Sequence, residues 1–546
     1  MSRKKPSDSA NPAAPGMPTE TPAPAAMPGE AEPVEIELKL LVEPGDMATF
    51  EAAPIIIEHA TSRGTRRRLE ATYYDTASRA LRREGLTLRV RRSGARHIGA
   101  RYVQTVKSNL PQDPLRRGEW EAPVPGPEPD LPLAMPLLPA ELARRLADDP
   151  LLPVFATDVR RLTRSLTLPT GRIEMAFDTG SIVAGERRLP VAEIELELKD
   201  GSPALLYEIG LRLLEQGPAR PSVRAKSDRG FDLADDIAPS PPRPRRAPID
   251  RKASLDDALL GILRALLVHL FAAIPAAEDG HTPEGVHQTR VSLRRLRSLL
   301  GLLRGLGRGK ATERLRAETR WLADALGPAR ELDVFIGQTL TGIANALPGL
   351  EGFDALRGSA LSARDIHYGE VQALLRDTRT SRFLLELGAW IEGRGWREEA
   401  GRAAVAALDG PAADFAQKTL ETMHAKVIKR GRHFKLMNPD ARHELRLAVK
   451  KLRYATDFLG PMLGDGKGMR AYFAALAELQ DQLGLYNDMA TTRDLMVRLR
   501  DAPGGQSVAA GAIAGWQARG MIAADVQLAA AWKTFHDLNP PRRRKD

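Results

Sequence analysis

Two stretches of this chain place carboxylates on alternate residues, and that spacing narrows the possible folds sharply. The first is Glu35-Ile36-Glu37-Leu38-Lys39-Leu40; the second is Glu193-Ile194-Glu195-Leu196-Glu197-Leu198-Lys199. Side chains alternate faces along a strand, so Glu35, Glu37 and Lys39 share one face and Ile36, Leu38 and Leu40 the other. The apolar face needs a dry core. The charged face needs water, a metal ion or a polyanion.

Other segments repeat the pattern. Leu86–Arg91 puts Arg89 and Arg91 on one face, and Arg172–Asp178 puts Glu174 and Asp178 on one face with Ile173, Met175 and Phe177 behind. Tyr102–Lys107 ends in Lys107. Any one of these strands reads as an ordinary amphipathic strand with a solvated face. As a set they predict a closed barrel with inward and outward rows. With the charged rows inward, Glu35, Glu37, Glu174, Asp178, Glu195 and Glu197 face Lys39, Arg89, Arg91 and Lys107. Acids crowded in a cavity repel and protonate unless a cation sits among them. Hard divalent cations take oxygen ligands, and magnesium binds through one or two carboxylates plus substrate phosphates. The implied chemistry is metal-assisted phosphoryl transfer or hydrolysis.

Residues 34–238 resemble the CYTH domain, the triphosphate tunnel metalloenzyme fold. The resemblance rests on Glu35-Ile36-Glu37-Leu38-Lys39 as the ExExK signature, then Tyr73-Tyr74-Asp75-Thr76, Leu88–Arg91, Thr105-Val106-Lys107, Arg117–Glu121, Thr157–Arg161, Ile173–Asp178, Glu193–Glu197 and Ala225–Phe231 in chain order. Ala225 stands where the family often has Ser. The resemblance implies an antiparallel barrel that hydrolyses triphosphates with Mg2+ or Mn2+. Glu35, Glu37, Lys39, Glu195 and Glu197 would form its catalytic core. Glu35, Glu37, Glu195 and Glu197 would hold the metal, assisted by Asp178 and Glu174. Lys39, Arg89, Arg91, Lys107, Arg161, Lys226 and Arg229 would bind the phosphates. The choice between Arg160 and Arg161 stays open, because a one-residue slip flips the face.

A chain of 546 residues has room for two or more domains. It has no cysteine, which excludes disulfides, thiolate zinc sites and a Cys nucleophile and fits a reducing cytoplasm. Residues 1–33 are rich in Pro and Ala, lack the apolar run of a signal peptide, and read as a disordered tail. Leu259–Ile274 is the most apolar helical stretch. It carries Arg264 and His269 and is short for a membrane span, so a soluble chain is expected. The net charge of +10 suggests a polyanion partner. Aromatics are only 5% and no basic-aromatic run appears, so no specific nucleic acid is expected.

A Pro/Arg-rich linker, 239–252, separates the halves. Beyond it, 253–537 shows helical periodicity, with breaks expected at Pro275, Gly327-Pro328 and Gly460-Pro461 among others; 538–546 is a basic tail. Inside lies a repeat. His287, Arg290, Arg294 and Arg297 recur as His443, Arg446, Lys450 and Arg453 at the same offsets. At about 100° per residue these four positions fall within about an 80° arc of one helix. One such stripe is normally a solvated face. Two, each followed by a similar segment (Leu326–Val334 and Leu483–Met489), point to duplication. Like charges stacked on one face cost stability unless neutralised, by Asp333 and Asp488 or by a bound polyanion.

This half resembles the CHAD domain. That resemblance implies an all-α domain of two repeated four-helix halves, binding inorganic polyphosphate through His287, Arg290, Arg294, Arg297, His443, Arg446, Lys450 and Arg453. The expected fold class is α+β: an antiparallel barrel, then the helical domain. The expected function is hydrolysis of inorganic tripolyphosphate in a cytoplasmic setting, free or associated with polyphosphate granules. The competing readings are an adenylyl cyclase, a nucleoside or thiamine triphosphatase, and a non-catalytic polyphosphate-targeting protein.

Overall fold

The computed structural model describes residues 34–93, 101–109, 113, 115–146, 148–247, 249–250, 252–464 and 466–542. The expected N-terminal tail and the last four residues of the basic tail lie outside them.

Among the described residues the first half contains nine strands: β1 Val34–Leu41, β2 Thr65–Asp75, β3 Leu86–Ser93, β4 Arg101–Asn109, β5 Arg116–Val124, β6 Leu152–Leu168, β7 Gly171–Ala184, β8 Arg187–Gly201 and β9 Arg220–Ser222. Every pairing is antiparallel, in the order β5-β4-β3-β2-β6-β7-β8-β1-β9, and β5 pairs back onto β1. The pairings therefore run round a ring of eight, with β9 added beside β1. The β7–β8 turn spans only two residues and uses Gly185 at φ 60°, the left-handed conformation such tight hairpins require.

Alternation sorts each strand as expected. Leu38, Leu40, Ile173, Met175, Phe177, Ile194 and Leu196 are buried on the outside of the ring. They pack in one core with Leu205, Leu206, Ile209 and Leu213 of the helix Ala204–Leu214. The apolar side of these strands thus points outward, under a helix, which leaves the charged rows facing in. That helix also forms the seam with the second half. Tyr207, fully buried, lies against Gly388 so closely that a Cβ there would stand 2.2 Å from its ring, and Leu385 packs on Gly210. Arg264 reaches Glu392 and, at 3.4 Å, Asp113 of the β4–β5 connection. Arg220 of β9 donates to Glu278 at 2.6 Å. The Pro-rich segment Pro123–Pro139, whose composition alone reads as a long surface connection, is partly built into the fold. It holds the short helix Leu131–Ala134, and Ala134 and Leu138 are buried in a satellite core.

The second half is helical from Leu255 to His536. Its first two helices, Leu255–Asp279 and Pro283–Leu303, are matched later by Ala412–Arg430 and Pro439–Leu463, and the second of each pair carries a stripe. These two stripe helices pack against each other. Pro275 and Pro461 do not end their helices, contrary to expectation. An interior proline costs ~3 kcal/mol or more, and the buried flanks Ala273, Ala276 and Ala277, or Leu459, Met462 and Leu463, offset it. Leu255–Asp279 runs 25 residues, long and apolar enough to cross a membrane, so its expected shortness is corrected. Here it is a core helix, with 56% of its most apolar window buried and Arg264 tied to Glu392.

The linker is docked rather than free. The Pro242 carbonyl meets His269 Nε2 at 3.1 Å, and Arg246 lies over the Phe473 ring. His269 also meets Ser292 through Nδ1 at 2.5 Å, and burial holds it neutral. It is a satisfied core histidine.

Candidate active site

The ring encloses a cavity of about 540 Å³. Glu35, Glu37, Lys39, Arg89, Arg91, Lys107, Arg161, Glu174, Asp178, Glu195, Glu197 and Lys226 all line it. Cross-strand register arranges the acids in rows. Glu37 stands opposite Glu197, which stands opposite Glu174 on its other side. One step along, Lys39 faces Glu195; the next step pairs Glu193 with Asp178, which faces Arg161. The far wall, β3 and β4, supplies Arg89, Arg91 and Lys107.

The two acid groups differ in kind. Asp178, Glu193 and Glu195 bring carboxylate oxygens within 4.8 Å of one another and could in principle hold a cation. Cations of the chain already occupy that place. Arg161 forks onto Asp178 at 2.7 and 2.6 Å and reaches Glu195 at 2.5 Å. Lys226 meets Asp178 at 2.6 Å and Glu195 at 3.0 Å, and also pairs with Glu193. Arg229 pairs with Glu193, and Lys39 lies 3.6 Å from Glu195. Although burial opposes it, Lys226, Arg161 and Lys39 together hold Glu195 well below the usual carboxylate range.

The row Glu37–Glu197–Glu174, with Glu35 beside it, is under-compensated. Lys39 serves Glu37 but is shared with Glu195, Lys107 serves Glu35 at 3.0 Å but is shared with Glu119, and Lys199 on Glu197 is 44% exposed. Burial, then a hydrogen bond to Glu119, pushes the Glu35 carboxyl up to about 7 against the pull of Lys107. Glu197 is raised too, by burial and by repulsion from Glu35 and Glu174. Like charges directly opposite on adjacent strands are destabilising. The donors here are all carboxylate oxygens, the set a hard divalent cation prefers. This row, rather than the Asp178 group, fits a metal ion.

The cavity-facing cations of β3 and β4 arrive already paired. Arg89 meets Glu119 at 3.3 Å, Arg91 meets Glu121 at 3.0 Å, and Lys107 meets Glu119 at 2.6 Å. Glu119 and Glu121 thus act as internal counter-ions for the basic wall. Register resolves the open choice on β6: Arg161 faces the cavity, while Arg160 is exposed outside. Arg229 departs from the expected phosphate contact. It does not line the cavity, and its guanidinium is taken by the fully buried Glu193. Asp178 and Glu195, expected as metal ligands, bind Arg161 and Lys226 here.

In the helical half the two stripes converge. Lys450 is pushed down to about 8, first by burial and then by Arg294, Arg446, Arg297 and Arg290. Its neighbours thus come from both repeats. The Arg294 Nε is buried with no hydrogen-bond partner among the described residues, and Arg290 donates to the Ala323 carbonyl. Burial, Arg330 and the stripe arginines hold His287 below its ordinary value, whereas His443 is exposed. Arg453 lies 3.5 Å from Asp481. Asp333 does not fix a stripe arginine. Its buried carboxylate accepts from Arg364 at 2.7 Å and Tyr368 at 2.9 Å; the side chain of Asp488 lies outside the described residues. Arg330, in the segment after the first stripe, joins the cluster unforeseen.

Residues 34–229 match the CYTH domain model and residues 261–497 the CHAD domain model. The chain joins a CYTH domain to a CHAD domain. An inorganic triphosphatase of Haemophilus influenzae is 30% identical over 204 residues, covering 36% of this chain and 54% of that protein. The chain thus spans about half the length of that relative. An uncharacterised Mycobacterium tuberculosis protein is 26% identical over 512 residues, 88% of this chain and 90% of its own length. Among solved structures, a CHAD domain from the plant Ricinus communis is similar at 29% identity and TM-score 0.48, covering 56% of this chain and 99% of that one.

Two expectations follow for the CYTH domain. Lys226→Met leaves Asp178 and Glu193, both fully buried, without a partner that meets both. Breaking a buried ion network in this way costs about 3–5 kcal/mol. Denaturant unfolding should show that loss; a change under 1 kcal/mol would contradict it. The second concerns pH. Below about 7 Glu35 holds a proton that a cation must displace. Mn2+ affinity should therefore rise as pH climbs from 6 to 8, and a flat profile would contradict a role for Glu35.

Proposed function

We propose that the CYTH domain hydrolyses inorganic tripolyphosphate with Mg2+ or Mn2+, and that the CHAD domain binds inorganic polyphosphate. The observation that carries the first part is the under-compensated row Glu37–Glu197–Glu174 facing Arg89, Arg91 and Lys107 across one cavity. Glu37, Glu197 and Glu174, with Glu35, would hold the metal. When bound, it supplies charge neutralisation at the transferring phosphoryl group and acidifies water. Arg89 and Arg91 orient phosphate oxygens with planar forks, and Lys107 adds a point charge. Entering phosphates replace Glu119 and Glu121 as partners of that wall. A substrate rich in negative charge therefore displaces them, and a neutral one does not. Asp178, Glu193 and Glu195 hold Arg161 and Lys226 in place.

The meeting of both stripes around Lys450 supports the second part. Polyphosphate on the stripes would place the chain in the cytoplasm, at polyphosphate granules. A substrate panel tests the catalytic reading. Tripolyphosphate should be cleaved with higher kcat/KM than ATP or thiamine triphosphate, and only with a divalent metal. Preference for a nucleotide, or cyclic AMP formed from ATP, would replace tripolyphosphate as the substrate. Release of no phosphate from any of them would leave a binding protein.

A further inference from the structure

Three consecutive arginines open β2, and alternation divides them. Arg66 and Arg68 turn outward, and each finds an acid: Arg66 donates to Glu51 at 2.6 Å, and Arg68 to Asp158 at 2.8 and 2.6 Å. Arg67 turns into the cavity. Among the described residues it has no carboxylate partner. Every other cavity cation has at least one: Lys39, Arg89, Arg91, Lys107, Arg161 and Lys226. Its direct neighbour across β6 is Arg161, whose guanidinium is spent on Asp178 and Glu195. Like charges in that position are unfavourable unless a counter-charge comes from outside.

Position selects the anion. β2 is exposed from Thr65 to Arg68 and largely buried from Ala71 to Asp75, so Arg67 stands at the open end of the cavity. Ser62, Thr65, Thr163 and Ser165 line the same cavity and offer hydroxyls at this mouth. Tyr73, the one aromatic residue lining the cavity among the described residues, lies deep and is stacked on Phe155 with ring centroids 4.5 Å apart. Among the described residues the mouth is therefore cationic and hydroxyl-rich, without an aromatic surface for a base. Tripolyphosphate presents an ionised terminal phosphate at both ends. A nucleoside triphosphate presents one at a single end and a sugar ester at the other.

We propose that Arg67, with these hydroxyls, forms a terminal-phosphate subsite at the cavity mouth that selects unesterified linear polyphosphates over phosphate esters. For turnover this rests on the triphosphatase reading above; for binding it does not. Arg67→Ala in the full chain should raise KM for tripolyphosphate about tenfold, the scale of one charge-assisted contact, with kcat within about twofold. The kcat/KM for ATP should fall less than about twofold, Arg67→Lys should recover part of the loss, and Arg66→Ala should match wild type. Calorimetric titration of tripolyphosphate in EDTA reads the subsite without turnover. Performed with Arg294→Glu and Lys450→Glu, which remove the helical stripes' contribution, it should show the same loss on adding Arg67→Ala. Equal losses for both substrates, or unchanged affinity in the titration, would overturn the subsite. An inactive wild type whose tripolyphosphate affinity still depends on Arg67 would remove the hydrolytic reading and keep the subsite.

Discussion

Glu197→Gln should abolish metal-dependent phosphate release from tripolyphosphate, and Glu37→Gln should do the same. Both residues sit in the row of facing carboxylates whose cations Lys39 and Lys107 are shared with other acids and whose Lys199 is exposed. Glutamine keeps the shape and removes the charge. The expected loss is at least about a hundredfold in kcat, the scale seen when one group facing developing charge is removed. Stability should hold or rise, because the substitution relieves repulsion among Glu35, Glu174 and Glu197. Lost activity with unchanged or improved unfolding midpoints separates a functional row from a structural one. Turnover within twofold of wild type in both variants would remove these residues from the reaction.

The second large effect concerns the helical stripes. Arg294→Glu and Lys450→Glu lie on different repeats yet near one another. Each should weaken binding of long-chain polyphosphate about tenfold at 0.1 M salt, and the double variant should lose more than either alone. Wild-type affinity should fall steeply with salt, since charge neutralisation carries it. DNA of matched charge is the necessary competitor. Equal competition by DNA, or an unchanged double variant, would make the stripes solvated helix faces. Lys450 is pushed down to about 8, so its charge, and with it some affinity, should fade above that pH unless the anion holds its proton.

Much of the barrel was legible because a strand has a period of two. Ile36, Leu38 and Leu40 could share only one face, and burial of Leu38 and Leu40 placed Glu37 and Lys39 on the other. The same rule could not choose between Arg160 and Arg161 until the β6 register with β2 and β7 was known. Arg67 was hidden for a related reason: in a run of three arginines every residue looks alike, and only the outward acids Glu51 and Asp158 tell them apart. The division of acids into a neutralised group and an under-compensated row was also illegible. It depends on Lys226 and Arg229, which arrive from a helix well over a hundred residues after β1. In the helical half the repeat gave the stripes. Asp333 misled, because helical spacing does not say which neighbouring helix a buried acid will face; it faces Arg364 and Tyr368.

The most direct test is anomalous diffraction from crystals grown with Mn2+. The ion should lie among Glu37, Glu197 and Glu174, with oxygen ligands at about 2.0–2.2 Å, the range for small hard divalent cations. Arg161 and Lys226 should keep their hold on Asp178 and Glu195. An ion found instead between Asp178, Glu193 and Glu195, with Lys226 displaced, would contradict the division of the acids and the reaction built on it.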